Sequence, residues 1–177
     1  MKLSLAQEIA LEVIEQLKPF CTWIEVAGST RRKCKEVNDI EIVLVRRGRD
    51  LIKFKIVIDS WKHIRGDATG RMCARYYTKG GVDYQIDIFM PMENDLMRQY
   101  AIRTGSSDYS ARVIASAWVR QGWRGTKDGL RRLSESIQKG ETYICNVENP
   151  TLPPVWKSEK EFFDFLNVKY VEPENRI

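Results

Sequence analysis

The apolar positions along the chain follow two different periods, and these periods predict the secondary structure. In the first twenty residues, apolar side chains recur every three or four positions, which predicts a helix that begins at a capping box of Ser4 and Gln7 and ends before Pro19. Two runs rich in β-branched residues, "TWIEVAG" and "DIEIVLV", predict strands. The stretch from Asp50 to Trp61 fits helix or strand, and its apolar spacing favours a helix.

A β-hairpin is predicted over "RMCARYYTKGGVDYQIDIFMP", with Lys79-Gly80-Gly81 at the turn. Side chains alternate between the two faces of a strand, so Asp83, Gln85 and Asp87 are expected on the same face of the second strand. The hairpin is predicted to end at Pro91.

The pattern beyond Pro91 changes mainly to helical spacing. Two helices are predicted over "NDLMRQYAIR" and "SDYSARVIASAWVRQ", the second closed by Gly122. "LRRL" and "TYICNV" are expected to pair as a small hairpin, and a capping box of Ser158 and Glu161 predicts a last helix. The order of elements predicts an α+β fold with a helix-and-sheet unit over 1–93 and a mostly helical lobe over 94–177.

Composition adds a bias towards polyanionic partners. The 177 residues carry a formal net charge of +5, with a pI of about 9.0. The four cysteines form no CxxC pair, which favours reduced thiols, and His63 is the only histidine, which argues against histidine metal sites. No signal peptide and no apolar run of about 18 residues is seen. We therefore expect a soluble cytoplasmic protein that has no membrane partner.

Three carboxylates in strands suggest chemistry. Asp39 and Glu41 lie on one face of an apolar strand, and Asp87 offers a third carboxylate on another strand. An acidic pair alone is also typical of a solvated strand face. Clustered carboxylates repel each other unless cations lie between them, and oxygen donors with open positions suit Mg²⁺. Residues that could donate hydrogen bonds to phosphate precede these acids. They are Gly28 and Ser29 at a turn, followed by Arg31 and Arg32.

These residues carry a resemblance to a known family. "AGSTRRKCKEVNDIEIV" resembles the nucleotide-binding signature of the family X DNA polymerases, the polymerase beta group within the nucleotidyltransferase fold. "IDIFMP" is similar to the strand that holds the third catalytic aspartate, and "RTGSSDYSARVIASAWVRQGW" is similar to the thumb. The tail "KSEKEFFDFLNVKYVEPENRI" resembles the closing helix and strap. The size resembles that of the compact viral and phage members.

The resemblance implies a palm over 1–93, a thumb over 94–177 and two-metal nucleotidyl transfer. Asp39, Glu41 and Asp87 would hold Mg²⁺, with Mn²⁺ as an alternative, and the substrate would be a dNTP. Asp83 is the rival for Asp87, but the motif spacing favours Asp87. The residues implied in nucleotide binding are Gly28, Ser29, Arg31, Arg32, Arg103, Thr104 and Gly105. Two departures from the family pattern are Glu41 in place of an aspartate and Ile102-Arg103 in place of an aromatic pair.

The implied function is a DNA-directed DNA polymerase that fills short gaps in DNA repair. It would act as a monomer on gapped or primer-template DNA, in the cytoplasm of a bacterial or phage-infected cell. Candidate DNA contacts are Arg112, Arg120, Arg124 and Lys127. Two alternatives remain open: a template-independent or RNA-end nucleotidyltransferase of the same fold, and a catalytically silent nucleic-acid-binding relative.

Overall fold

The computed structural model describes all residues, 1–177, and its first part is a five-stranded mixed sheet. The strands lie in the order β1-β2-β5-β4-β3; β2 and β5 are parallel, and the other pairs are antiparallel. Their bounds are β1 (Cys21–Val26), β2 (Ile40–Arg46), β3 (Lys62–Arg65), β4 (Met72–Lys79) and β5 (Val82–Phe89). The expected α+β class with a mixed sheet is confirmed.

The two faces of this sheet have different coverings. Helices α1 (Leu3–Leu17) and α3 (Leu51–Asp59) cover one face, where Ile40, Ile42 and Leu44 of β2 are fully buried. The next residues along β2 point the other way, because side chains alternate along a strand. There Val43 packs in a smaller cluster that includes Leu96 and Tyr100. The acidic residues share the face of Val43.

The second part of the chain combines short helices with two small hairpins. Ala101, Trp118, Trp123 and Phe162 are among the buried residues of its own apolar core. A single turn of π-helix, Ser110–Ala115, joins two of the helices. The elements are α4 (Leu96–Thr104), α5 (Ser107–Tyr109), α6 (Ser116–Arg120), β6 (Trp123–Thr126), β7 (Gly129–Arg132), β8 (Ser136–Lys139), β9 (Thr142–Cys145) and α7 (Glu159–Phe165).

The structure corrects the predicted pairing in this second part. "LRRL" pairs with Trp123–Thr126, and "TYICNV" pairs through β9 with Ser136–Lys139. Gly129 and Gly140 have φ angles of 103° and 61°, a region that glycine enters without strain and that suits tight turns. Each strand therefore pairs with its nearest neighbour in sequence, which costs less loop-closure entropy than the long-range pairing that was expected.

Two smaller expectations are also corrected. The first helix begins at Leu3, and its N-cap residue Lys2 makes no side-chain capping bond, so the predicted box at Ser4 is not the cap. A bridge between Lys2 and Glu36 fixes the chain just before the helix. The predicted helix over 50–61 is confirmed as α3, but the strand β3 that follows it was missed. No helix in the structure has the length and apolar character needed to cross a bilayer.

Candidate active site

The three predicted acids lie together on the sheet face that packs towards α4. Asp39 is the residue directly before β2, Glu41 lies within β2, and Asp87 lies within β5. The parallel register pairs Glu41 with Asp87 across the two central strands. Asp83, the rival for Asp87, is exposed near the hairpin turn and is held there by Lys62 and Thr78. The geometry therefore favours Asp87.

Asp87 is bound by two side chains that the sequence did not single out for a role. Arg65 Nη2 donates to Asp87 Oδ2 at 2.8 Å, and Gln85 Nε2 donates to Asp87 Oδ1 at 2.8 Å. Asp87 itself is only 5% exposed. The alternation of β5 placed Gln85 on the face of Asp87, but Arg65 comes from β3, which was not predicted.

The electrostatics of the cluster reflect carboxylates that crowd one another. Burial, together with the negative charges of Asp39 and Asp87, raises the pKa of Glu41 to about 7, against the opposing effect of Arg103 and Arg32. Burial and Asp87 also raise the pKa of Asp39, while its backbone hydrogen bond and Arg65 oppose the rise. Ionisation of Asp39 and Glu41 is therefore unfavourable in the folded protein, and a cation bound between the carboxylates would relieve this.

We predict that Glu41→Gln stabilises the metal-free protein at alkaline pH. A folded pKa of about 7 lies above the ordinary 4.5, so the folded state binds the proton more tightly and stability falls as pH rises from 4.5 towards 7. Glutamine mimics the protonated form, so the free energy of unfolding should rise by about 2–3 kcal/mol at pH 8 and change little at pH 4. Urea denaturation at both pH values, with a chelator present, measures this.

The matched control is Glu25→Gln, which changes an exposed glutamate on β1. It should give equal stability changes at the two pH values. If Glu41→Gln behaved in the same way, the carboxylate of Glu41 would be ionised in the folded protein without penalty.

The carboxylates of Asp39, Glu41 and Asp87 are suitable ligands for Mg²⁺, but they do not point to one common position. All three side chains offer carboxylate oxygens, the ligands that Mg²⁺ prefers. Nevertheless, no group of three or more histidine, cysteine, aspartate or glutamate side chains is arranged closely enough to hold a metal ion. Three contacts hold these carboxylates in place, since Arg65 and Gln85 each donate to Asp87, and the Glu41 carboxylate lies against Gly28.

Gly28 begins the short helix α2 (Gly28–Arg31) that follows β1. Its φ of 61° is a conformation that favours glycine, and a Cβ atom there would lie 2.0 Å from Glu41 Oε2. Any side chain at position 28 would therefore displace the Glu41 carboxylate. Ser29 follows and is half-buried beside this contact.

A cavity of about 510 Å³ opens beside Glu41 and has two arginines in its wall. Arg32 Nη1 donates to the carbonyl of Thr104 at 2.6 Å, and the Arg103 guanidinium stacks on Phe89 at 4.0 Å. The Nε atoms of both arginines are buried and have no hydrogen-bond partner. Two guanidinium groups in the wall of one cavity favour an anionic ligand. The lining residues are Arg32, Glu41, Ile102, Arg103, Gly105, Ser106, Ser107, Ser110, Ala111 and Trp118.

Arg31 and Thr104, both predicted to bind nucleotide, are engaged with protein partners in this structure. Arg31 makes two hydrogen bonds to the Glu159 carboxylate, at 3.0 and 2.6 Å, and a third to the Thr104 hydroxyl at 2.7 Å. Thr104 is fully buried. Arg176, also fully buried, donates to the same carboxylate at 2.7 Å. Glu159, the half-buried Arg31 and the buried Arg176 form a triad that connects α2 to α7.

The predicted DNA contacts differ in their exposure. Arg112, Arg120 and Lys127 are exposed, whereas the Arg124 guanidinium stacks on the Tyr143 ring at 4.0 Å. Nothing in the structure tests whether these residues bind DNA, so the assignment stays a prediction. Trp123 is only 4% exposed and packs in the second core.

Comparisons with known proteins find similarity to one family. Residues 97–177 match the family model described as DNA polymerase beta thumb. The fold is similar to that of Leishmania infantum polymerase beta in a ternary P/T complex, with a TM-score of 0.70 and 16% identity over 100% of this chain and 76% of that one. A search of curated proteins finds no match. The thumb match and the shared fold together confirm the resemblance of this chain to the family X DNA polymerases, the polymerase beta group.

Proposed function

We propose that the protein is a DNA-directed DNA polymerase that adds deoxynucleotides to a primer 3′-hydroxyl and fills short gaps. The observation that carries the proposal is the junction of an acidic cluster with an arginine-lined cavity. A nucleoside triphosphate needs both, because its phosphates require donors and the reacting α-phosphate requires a nearby cation site. The thumb match and the polymerase beta-like fold support DNA as the partner.

The residues around the cavity would bind the triphosphate and position its α-phosphate for reaction. Arg32 and Arg103 line the cavity and would donate to the β- and γ-phosphates, while the Glu41 carboxylate fills the space that a Cβ atom at Gly28 would take. Ser29 adds a hydroxyl donor. The primer hydroxyl attacks the α-phosphate in line and pyrophosphate leaves, so catalysis depends mainly on position and charge neutralisation.

We propose Mg²⁺ as the cofactor, held by Asp39, Glu41 and Asp87, with Mn²⁺ as a substitute. When bound, the ions would lower the pKa of the attacking hydroxyl and neutralise charge on the leaving oxygens. The raised pKa values of Asp39 and Glu41, caused first by burial and then by neighbouring acids, support a cation at this position. Glu41 is one methylene longer than aspartate, and its contact with Gly28 accommodates that length.

Primer extension on a one-nucleotide-gapped duplex, with either metal ion, tests the proposed function. The wild type should add the template-matched deoxynucleotide, and Asp39→Ala should lose this addition by about 1000-fold, because one carboxylate of the cation site is gone. Glu36→Ala, which removes an exposed carboxylate from the same loop, should retain it.

Two outcomes would redirect the proposal. Addition without regard to the template, or addition to RNA ends, would assign a terminal nucleotidyltransferase activity. If neither metal ion supports transfer to gapped DNA, single strands or RNA ends, the protein is a nucleic-acid-binding relative without catalysis.

A further inference from the structure

Four residues form a row across the sheet that leads from the acidic cluster to its edge. Glu41 pairs with Asp87, Asp87 pairs with Ala74, and Ala74 pairs with Arg65, so the row crosses β2, β5, β4 and β3. Paired residues point to the same face of a sheet. Ala74 has the smallest side chain that carries a Cβ, and the long Arg65 side chain passes over it to reach Asp87.

The backbone of Arg65 is fixed, whereas its guanidinium is accessible to solvent. The ladder between β3 and β4 has an irregularity between His63 and Arg65, which sets the direction of the Arg65 side chain. Arg75, buried beneath, donates to the carbonyls of Arg65 and Gly66 at 3.1 and 3.2 Å. The Arg65 side chain is nevertheless 59% exposed. It can therefore rotate away while its Cα atom stays in place.

The guanidinium of Arg65 occupies a carboxylate oxygen that a metal ion would need. Its Nη2 atom lies 2.8 Å from Asp87 Oδ2, while Gln85 takes Oδ1. Both oxygens of Asp87 are thus engaged by protein donors, and the three acids do not converge. A cation on this oxygen and the guanidinium of Arg65 repel each other and compete for the same position.

We propose that Arg65 acts as the resident counter-ion of Asp87 and must leave before a divalent cation is bound there. The inference rests on the proposed function, because it assumes that Asp87 is a metal ligand. Arg65 stabilises the metal-free cluster and raises the metal concentration at which the site fills. Removing Arg65 therefore strengthens metal binding, whereas removing a residue that merely supports Asp87 would weaken it.

The test measures binding of Mn²⁺ alone by the electron paramagnetic resonance signal of the free ion, without nucleotide or DNA. Arg65→Gln should bind Mn²⁺ about three- to tenfold more tightly than the wild type. Arg65→Lys, which keeps the charge, should remain near the wild-type affinity. Lys62→Gln removes another exposed cation of β3, one paired with Asp83, and should change nothing.

Unchanged or weaker Mn²⁺ binding in Arg65→Gln, with native circular dichroism, would overturn the proposal. Primer extension by the same preparations separates this failure from that of the proposed function. An active wild type with an unchanged Arg65→Gln affinity refutes only the role of Arg65. A wild type and an Asp87→Asn variant that bind Mn²⁺ equally and transfer no nucleotide would refute both.

Discussion

Asp87→Asn is expected to slow nucleotide addition by at least about 1000-fold, while Asp83→Asn keeps a rate close to that of the wild type. The two aspartates lie on the same strand and the same face, four residues apart. Asp87 is buried beside Glu41 in the row, but Asp83 is exposed next to the turn and paired with Lys62. Asparagine keeps the size of the side chain and removes the charge that would hold a cation.

Single-turnover addition to a gapped duplex at saturating Mg²⁺ measures both variants, and their circular dichroism controls for folding. A thousand-fold loss corresponds to about 4 kcal/mol of transition-state stabilisation. The assignment of Asp87 fails if the two variants lose similar activity, or if Asp83→Asn is the slower of the two. The second result would assign the role of the third carboxylate to Asp83.

Glu159→Gln is expected to lower the free energy of unfolding by about 3–5 kcal/mol at pH 7. The substitution leaves the half-buried Arg31 and the fully buried Arg176 without a counter-charge. Although burial opposes ionisation, the hydrogen bonds from Arg31 and Arg176 hold the pKa of Glu159 below its ordinary value. Its contribution is therefore present at neutral pH and is lost as pH falls through the folded-state pKa.

Urea denaturation of the wild type and variant at pH 7 measures the loss. Glu174→Gln is the matched control, since Glu174 pairs with Lys33 at the surface and a solvated pair contributes little. It should leave the unfolding curve almost unchanged. If Glu159→Gln lost less than about 1 kcal/mol, the two arginines would have to find other partners, and the triad would not stabilise the connection between α2 and α7.

The sequence predicts the secondary structure well where its signals are local. The acidic strand, the hairpin and its two-glycine turn, and the capping box at Ser158 all depend on residues within a few positions of each other, and each appears in the structure. Gly28 likewise has the positive φ expected of a glycine turn. Alternation along β5 was enough to place Asp87 and Gln85 on one face.

Contacts between elements that are distant in sequence were not predictable in the same way. Arg65 lies in β3, a four-residue edge strand with mostly polar side chains, and only the irregular ladder with β4 directs it to Asp87. Arg31 and Arg32 are adjacent in sequence, and only the packing of α7 shows that one meets Glu159 while the other reaches the cavity. The predicted pairing in the second part is wrong because Gly129 and Gly140, both with positive φ, form turns that pair each strand with its neighbour.

The turn at Gly80 and Gly81 determines which face of the sheet carries the side chain of Asp87. Both glycines have positive φ, and the two-residue connection sets Lys79 opposite Val82, so that Ala74 meets Asp87 further along the ladder. One residue added to this turn, with the ladder slipping to match, would turn the β5 side chains to the opposite face. Asp87 would then enter the apolar core beneath α1 and α3. The position of a carboxylate at the centre of the sheet thus depends on the length of a solvent-exposed loop at its far end.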